Sequence, residues 1–120
     1  MNPLEKSTIR YCKFLENLSL NDLKILYKFV DQDISFSDPF HQTKGIDEYN
    51  AILSTMFKTF DQINFETKNI LFNATNSNDC ASFNWTLKMR HSKSFKSLQI
   101  DGMTLIEVSQ QGLITRHEDY

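Results

Sequence analysis

Asp38 stands directly before Pro39, and His41 follows three residues later. Proline confines the preceding residue to extended backbone and offers no N–H, so this pair ends a strand. A carboxylate there can sit at the rim or wall of a cavity. In apolar surroundings its pKa rises toward the range useful to a general base. The same dipeptide is also good turn chemistry, with the carboxylate accepting local N–H bonds. His41 can orient Asp38, relay a proton or contact a ligand, or it is a plain loop histidine. Near the other end, His117 and Asp119 are two residues apart and share one face of a strand with Thr115. On a concave face they make an acid–base pair. On the opposite face they make a solvated edge or a dimer contact. Tyr11 is an amphipathic tyrosine on a helix, either core or hydrogen-bond donor. Asp38, His41, His117 and Asp119 have no metal-site spacing, so no metal is expected.

These residues need elements to hold them. Asn2 can cap a first helix, with Pro3 at its first position and an apolar stripe through Leu4, Ile9, Cys12 and Leu15. Ser19 or Asn21 can cap a second helix carrying Leu23, Leu26, Tyr27 and Val30, ended by Asp31-Gln32-Asp33. Ile34 to Ser37 reads as a short strand. Gly45 permits a turn into a third helix with Tyr49, Ile52, Leu53, Met56, Phe57 and Phe60 on its apolar face. The second half reads as strands: Ile63–Ala74, Ala81–His91, Leu98–Val108 and Leu113–Tyr120, with turns at Asn76–Asp79 and Ser109–Gly112. Alternation is cleanest in the second of these, where Phe83, Trp85, Leu87 and Met89 face one way. Trp85 is therefore core, ligand platform or both, and His91 stands at the rim.

Composition narrows the function. The chain has 120 residues, the length of one domain spanning 1–120. It is 40% hydrophobic and 23% charged, which supports a folded core. Lys plus Arg is 13 against 15 Asp plus Glu, a formal charge of −2 that excludes nucleic-acid binding by bulk basicity but not a local basic patch. No run is long and apolar enough to span a membrane, and no secretory signal opens the chain, so a cytoplasmic protein is expected. Cys12 and Cys80 form no CxxC pair and read as reduced thiols. No Gly-rich phosphate loop, zinc spacing or nucleophile elbow occurs.

Three segments carry a family resemblance: Ile34-Ser-Phe-Ser-Asp-Pro-Phe-His41 with Gly45 and the following helix, Trp85-Thr-Leu-Lys-Met-Arg-His91, and Ile100-Asp-Gly-Met-Thr104 leading to Gly112-Leu-Ile-Thr-Arg-His-Glu-Asp-Tyr120. In that order they resemble the SnoaL-like branch of the nuclear transport factor 2-like superfamily, which includes ketosteroid isomerases and polyketide cyclases. The resemblance implies an α+β cone, with three N-terminal helices packed on a curved, mostly antiparallel sheet around a cavity. It implies that Asp38 is the base that moves a proton between carbons and that Tyr11 donates to the enolate oxygen. It places Thr104 where those isomerases keep a second, protonated aspartate. It gives His117 and Asp119 the place of a cavity-lining acid–base pair in polyketide cyclases. In the family a further acidic residue and a tail often follow the final aromatic, whereas this sequence ends at Tyr120.

Catalytic candidates are thus Asp38, His117 and Asp119, and ligand-binding candidates are Tyr11, His41, Trp85 and Thr104. The expected activity is that of an isomerase or cyclase without organic cofactor, acting on a cyclic or polyketide-like carbonyl compound. The other reading is a non-catalytic ligand-binding or dimerisation module. Expected partners are a small apolar or aromatic ligand and a second copy through the outer sheet face, with no nucleic acid and no membrane.

Overall fold

The computed structural model describes residues 2–74 and 79–120. Helix α1 spans Pro3–Glu16. Asn2 caps it, its side-chain oxygen accepting the Glu5 N–H at 2.8 Å. Leu4, Thr8, Tyr11, Cys12 and Phe14 form its buried face, at the three-and-four spacing of one side of a helix. A 3₁₀ helix follows over Leu20–Lys28. At its start the N–H and hydroxyl of Ser19 both donate to the Asp22 carboxylate.

Strand β1 runs over Val30–Ser37, four residues earlier than the sequence suggests. The Asp31-Gln32-Asp33 cluster does not merely end the helix. It lies within the strand, where Asp33 N–H donates to Asp31 Oδ1 and the pairing shifts between Val30 and Ser35. A short strand β2, Gln42–Lys44, pairs back on β1 and was not foreseen. Helix α2 spans Ile46–Thr59, entered through Gly45 at φ +99°, a backbone region that favours glycine. Two helical elements therefore precede the first strand, and the third lies between β2 and β3. This corrects the expectation of three N-terminal helices.

The remaining strands are β3 (Phe60–Ala74), β4 (Asp79–His91), β5 (Ser97–Val108) and β6 (Ile114–Asp119). The turn expected at Asn76–Asp79 falls mostly on residues outside the described set. The alternation of β3 is broken by register shifts around Gln62 and Asn69, both at positive φ. The curved sheet has the order β2-β1-β6-β5-β4-β3. Every pairing is antiparallel except β1 with β6, which is parallel. The inner face packs on the helices through Ile34, Phe83, Ile106 and Ile114, each fully buried. Among the described residues no helix is long and apolar enough to cross a membrane.

Candidate functional site

Residues opposite one another in a sheet share a face. Thr104 pairs with Asp119, Ile106 with His117, Phe83 with Thr104 and Trp85 with Gly102. Because Phe83 and Ile106 are core, this register turns Trp85, Thr104, His117 and Asp119 inward together. From the helical side α1 supplies Tyr11 and α2 supplies Tyr49, both buried. The Tyr49 ring stacks on Phe36, which pairs with His117 across β1 and β6.

These six side chains form one hydrogen-bonded chain. The Tyr49 and Tyr11 hydroxyls are 2.7 Å apart. Tyr11 lies 2.8 Å from His117 Nδ1. His117 Nε2 lies 2.7 Å from Asp119 Oδ1. The Thr104 hydroxyl donates to the same oxygen at 2.6 Å and accepts the Trp85 indole N–H at 2.8 Å. With His117 neutral and protonated on Nε2, each of the five contacts holds one proton between one donor and one acceptor. A second proton on His117 leaves one phenol hydrogen without an acceptor in this chain. Hydrogen-bond counting therefore assigns the tautomer.

Burial and hydrogen bonding set the protonation of the other groups. Burial pushes the Tyr11 phenol well above its ordinary value, and the neighbouring Tyr49 and Asp119 add to the shift. Burial likewise raises Tyr49, with Asp119 adding and the Tyr11 bond opposing. Both phenols keep their protons at neutral pH. For Asp119, burial acts to raise the pKa, but the adjoining His117 and the hydrogen bonds from His117 and Thr104 outweigh it, and the carboxyl stays below its ordinary value. Asp119 is thus an ionised carboxylate. The Cys12 thiol is pushed up to about 12, chiefly by burial, which leaves it unreactive.

Gly102 makes room for this arrangement. A Cβ there would lie 2.3 Å from the Trp85 ring and 2.8 Å from the Tyr120 carbonyl oxygen. The indole lies across the glycine, which puts its N–H on Thr104.

Asp38 and His41 do not join the network. Asp38 Oδ1 accepts the N–H groups of Phe40 and His41 at 2.8 and 2.6 Å, and His41 Nδ1 lies 3.0 Å from it. This is the local turn chemistry of an Asp-Pro pair. Strand register still brings the turn to the same end of the sheet: Ser37 pairs with Glu118, so Asp38 follows beside Asp119. His91 is tied locally, accepting the N–H groups of Lys93 and Ser94.

The cone was expected to be hollow. Instead Tyr11, Tyr49, Thr104 and His117 are at most 4% exposed. Among the described residues, two clefts open on the surface, one beside α1 and one beside β1 and β2, and no network residue lines either one. Among the described residues no group of three or more His, Cys, Asp or Glu side chains is placed to hold a metal ion. Sequence reading missed Tyr49, taken there only as part of an apolar helix face. Its signal was chemical: a buried tyrosine hydroxyl needs a partner.

Residues 12–117 match the model of a family described as a SnoaL-like domain. No curated protein matches the sequence. Among solved structures, the chain is similar to a nuclear transport factor 2-like protein of unknown function from Exiguobacterium sp. 255-15. The TM-score is 0.78 at 14% identity, over 94% of this chain and 95% of that one. It is also similar to a candidate polyketide cyclase from Xanthomonas campestris pv. campestris, with TM-score 0.75 and 12% identity over 98% and 89% of the two chains. A third is TerC co-crystallised with polyporic acid, with TM-score 0.75 and 12% identity over 99% and 91%. At these identities the likeness shows the shared fold alone.

Proposed function

The chain belongs to the SnoaL-like domain family, and from that premise we propose that it is an acid–base enzyme without organic cofactor, acting beside a carbonyl group of a cyclic or polyketide-like compound. Asp119 is the base. One observation carries this reading. Both hydrogen bonds to Asp119 fall on Oδ1, while Oδ2 accepts none among the described residues and the side chain is 24% exposed. One carboxylate oxygen is fixed by the fold, and the other is free for chemistry.

In this mechanism Asp119 Oδ2 takes a proton from the carbon next to the carbonyl. The C–H electron pair moves onto the carbonyl oxygen as an enolate. For isomerisation, the proton returns from Asp119 to a different carbon. For cyclisation, the enolate carbon attacks a second carbonyl of the same molecule, and the alkoxide formed takes the proton back. His41 is held by Asp38 through Nδ1, and its Nε2 has no partner among the described residues. It stands at the same end of the sheet; doubly protonated, with Nδ1–H on the Asp38 carboxylate, it donates from Nε2–H to the enolate oxygen. Tyr11 and Tyr49 act as positioning residues that fix the His117 tautomer.

A carboxylate held below its ordinary pKa is a weak base. It suits a carbon flanked by two carbonyls, as in a poly-β-carbonyl chain, better than a simple ketone. Substrate covering the exposed part of Asp119 adds to burial, the influence that raises its pKa. A neighbour of this fold crystallised with polyporic acid supports a small organic ligand.

The test follows exchange of the activated hydrogen of ethyl 2-oxocyclohexanecarboxylate with D2O by proton NMR. The protein should accelerate exchange, and Asp119→Asn should lower that acceleration about 100-fold. Asp101→Asn, on the outer sheet face beside Thr86, should keep it. Equal rates with the native protein and Asp119→Asn would remove Asp119 as base.

The tight burial of Tyr11, Tyr49, Thr104 and His117 favours a second reading, a non-catalytic binding or dimerisation module. Its homodimer would form through the outer face, where Leu71 and Met103 are exposed. Titration with phenols separates the two. Saturable NMR shifts at Thr104, His117 and Asp119 together with accelerated exchange belong to the enzyme, saturable shifts without exchange belong to a binding module, and silence there belongs to a dimerisation module.

A further inference from the structure

On the other side of α1 from Tyr11, a groove of about 480 Å³ is lined by Lys6, Ile9, Arg10, Lys13, Phe14 and Phe29, none of them a network residue. Its floor is aromatic: Phe14 and Phe29 stack with ring centroids 4.0 Å apart and planes at 19°. Its rim is cationic. Lys6, Arg10 and Lys13 recur at four and three residues, which aligns them along one face of the helix. The Arg10 guanidinium lies 4.4 Å from the centroid of Phe29.

No carboxylate neutralises this rim. Among the described residues none of the three cations makes an ion pair. The two acidic residues of α1 are engaged elsewhere, Glu5 with the Asn2 side chain and Glu16 with the backbone N–H and hydroxyl of Thr67. Like charges at this spacing repel one another. The protein as a whole carries a formal charge of −2, so the cationic strip is a local exception. A stacked guanidinium also keeps its N–H edge available for a planar anion.

We infer that this groove binds a small aromatic carboxylate. The carboxylate pairs with Arg10 between Lys6 and Lys13, and the ring packs on Ile9 and Phe29. The site is separate from Asp119 and does not depend on the proposed activity.

The test is an NMR titration of the full chain with 2-naphthoate and, in parallel, with neutral 2-naphthalenemethanol. Naphthoate should give saturable amide shifts over residues 6–14 and at Phe29, and the alcohol should bind about tenfold more weakly or worse. Changing Lys6, Arg10 and Lys13 together to Gln should lower naphthoate affinity by a similar factor. Asp119→Asn should leave it unchanged. Equal affinity for the acid and the alcohol on the native protein would overturn the inference without need of any variant. So would naphthoate shifts centred on Thr104, His117 and Asp119 with the groove silent.

Discussion

Asp38 with His41 and Asp119 with His117 are the same two side chains in opposite surroundings. The first pair sits on a turn, with His41 half exposed and Asp38 tied to the backbone of its own loop. The second sits on β6 with the His117 side chain 5% exposed, and its partners come from α1, α2, β4 and β5. An exposed pair is screened by water and contributes little to stability. In a buried pair each polar atom shut off from water needs a partner, because an unmet one costs its full desolvation, and only Asp119 Oδ2, on the partly exposed side, goes without one. The comparison separates two tasks. The turn presents a histidine to solvent, and the network fixes a carboxylate and the proton on His117 Nε2 in one arrangement.

The strongest test of that contrast is removal of each histidine. His117→Ala should lower unfolding free energy by about 3 kcal/mol, because Tyr11 loses its acceptor and Asp119 loses its main partner. His41→Ala should cost less than about 0.5 kcal/mol. Urea denaturation reads both, and similar losses would erase the distinction. Gly102→Ala should cost about 1–3 kcal/mol, since its Cβ would overlap the Trp85 ring. Its amide shifts should spread to Thr104 and Asp119 and spare residues 38–41; shifts at the turn would show that the two regions are coupled.

The smallest effect is a pH dependence. The Asp119 pKa is lower in the folded chain than its ordinary 3.8. Its stabilising contribution is therefore complete above that value and is lost as pH falls through the folded value. The stability gap between the native protein and Asp119→Asn should be constant from pH 6 to about 4 and close below that. Urea midpoints from pH 6 to 2.5 measure it, and a gap that stays open in acid would mean that Asp119 is not held low by His117 and Thr104.

Much of the sheet was legible because one-sided burial writes itself into alternation. Phe83, Trp85 and Met89 were read inward and are buried. The parity of His117 and Asp119 was legible for the same reason. Their neighbours were not. The pairing of Thr104 with Asp119 depends on a register that shifts between Glu107 and Val108, and single-strand periodicity carries no record of such a shift. Where the resemblance leaves Thr104 in place of an aspartate, the facing position of β6 carries Asp119, whose Oδ1 accepts the Thr104 hydroxyl. The contact of Tyr49 with Tyr11 spans 38 residues and that of Tyr11 with His117 spans 106, so no local pattern announces them. Strand β1 was half hidden because Asp31, Gln32 and Asp33 look like a helix stop, and the pairing that absorbs them lies on a distant segment.

The place of β6 in the sheet bears on how the molecule is made. It is the last of the described strands to leave the ribosome, yet it lies between β1 and β5. Strands β3, β4 and β5 can pair with sequence neighbours as they emerge, while β1 and β2 can form only a small hairpin. The two halves cannot join until residues 114–119 arrive, and closing so long a loop late makes folding slow. A stalled or prematurely released chain would present the open edges of β1 and β5, the kind of surface on which aggregation and chaperone capture begin.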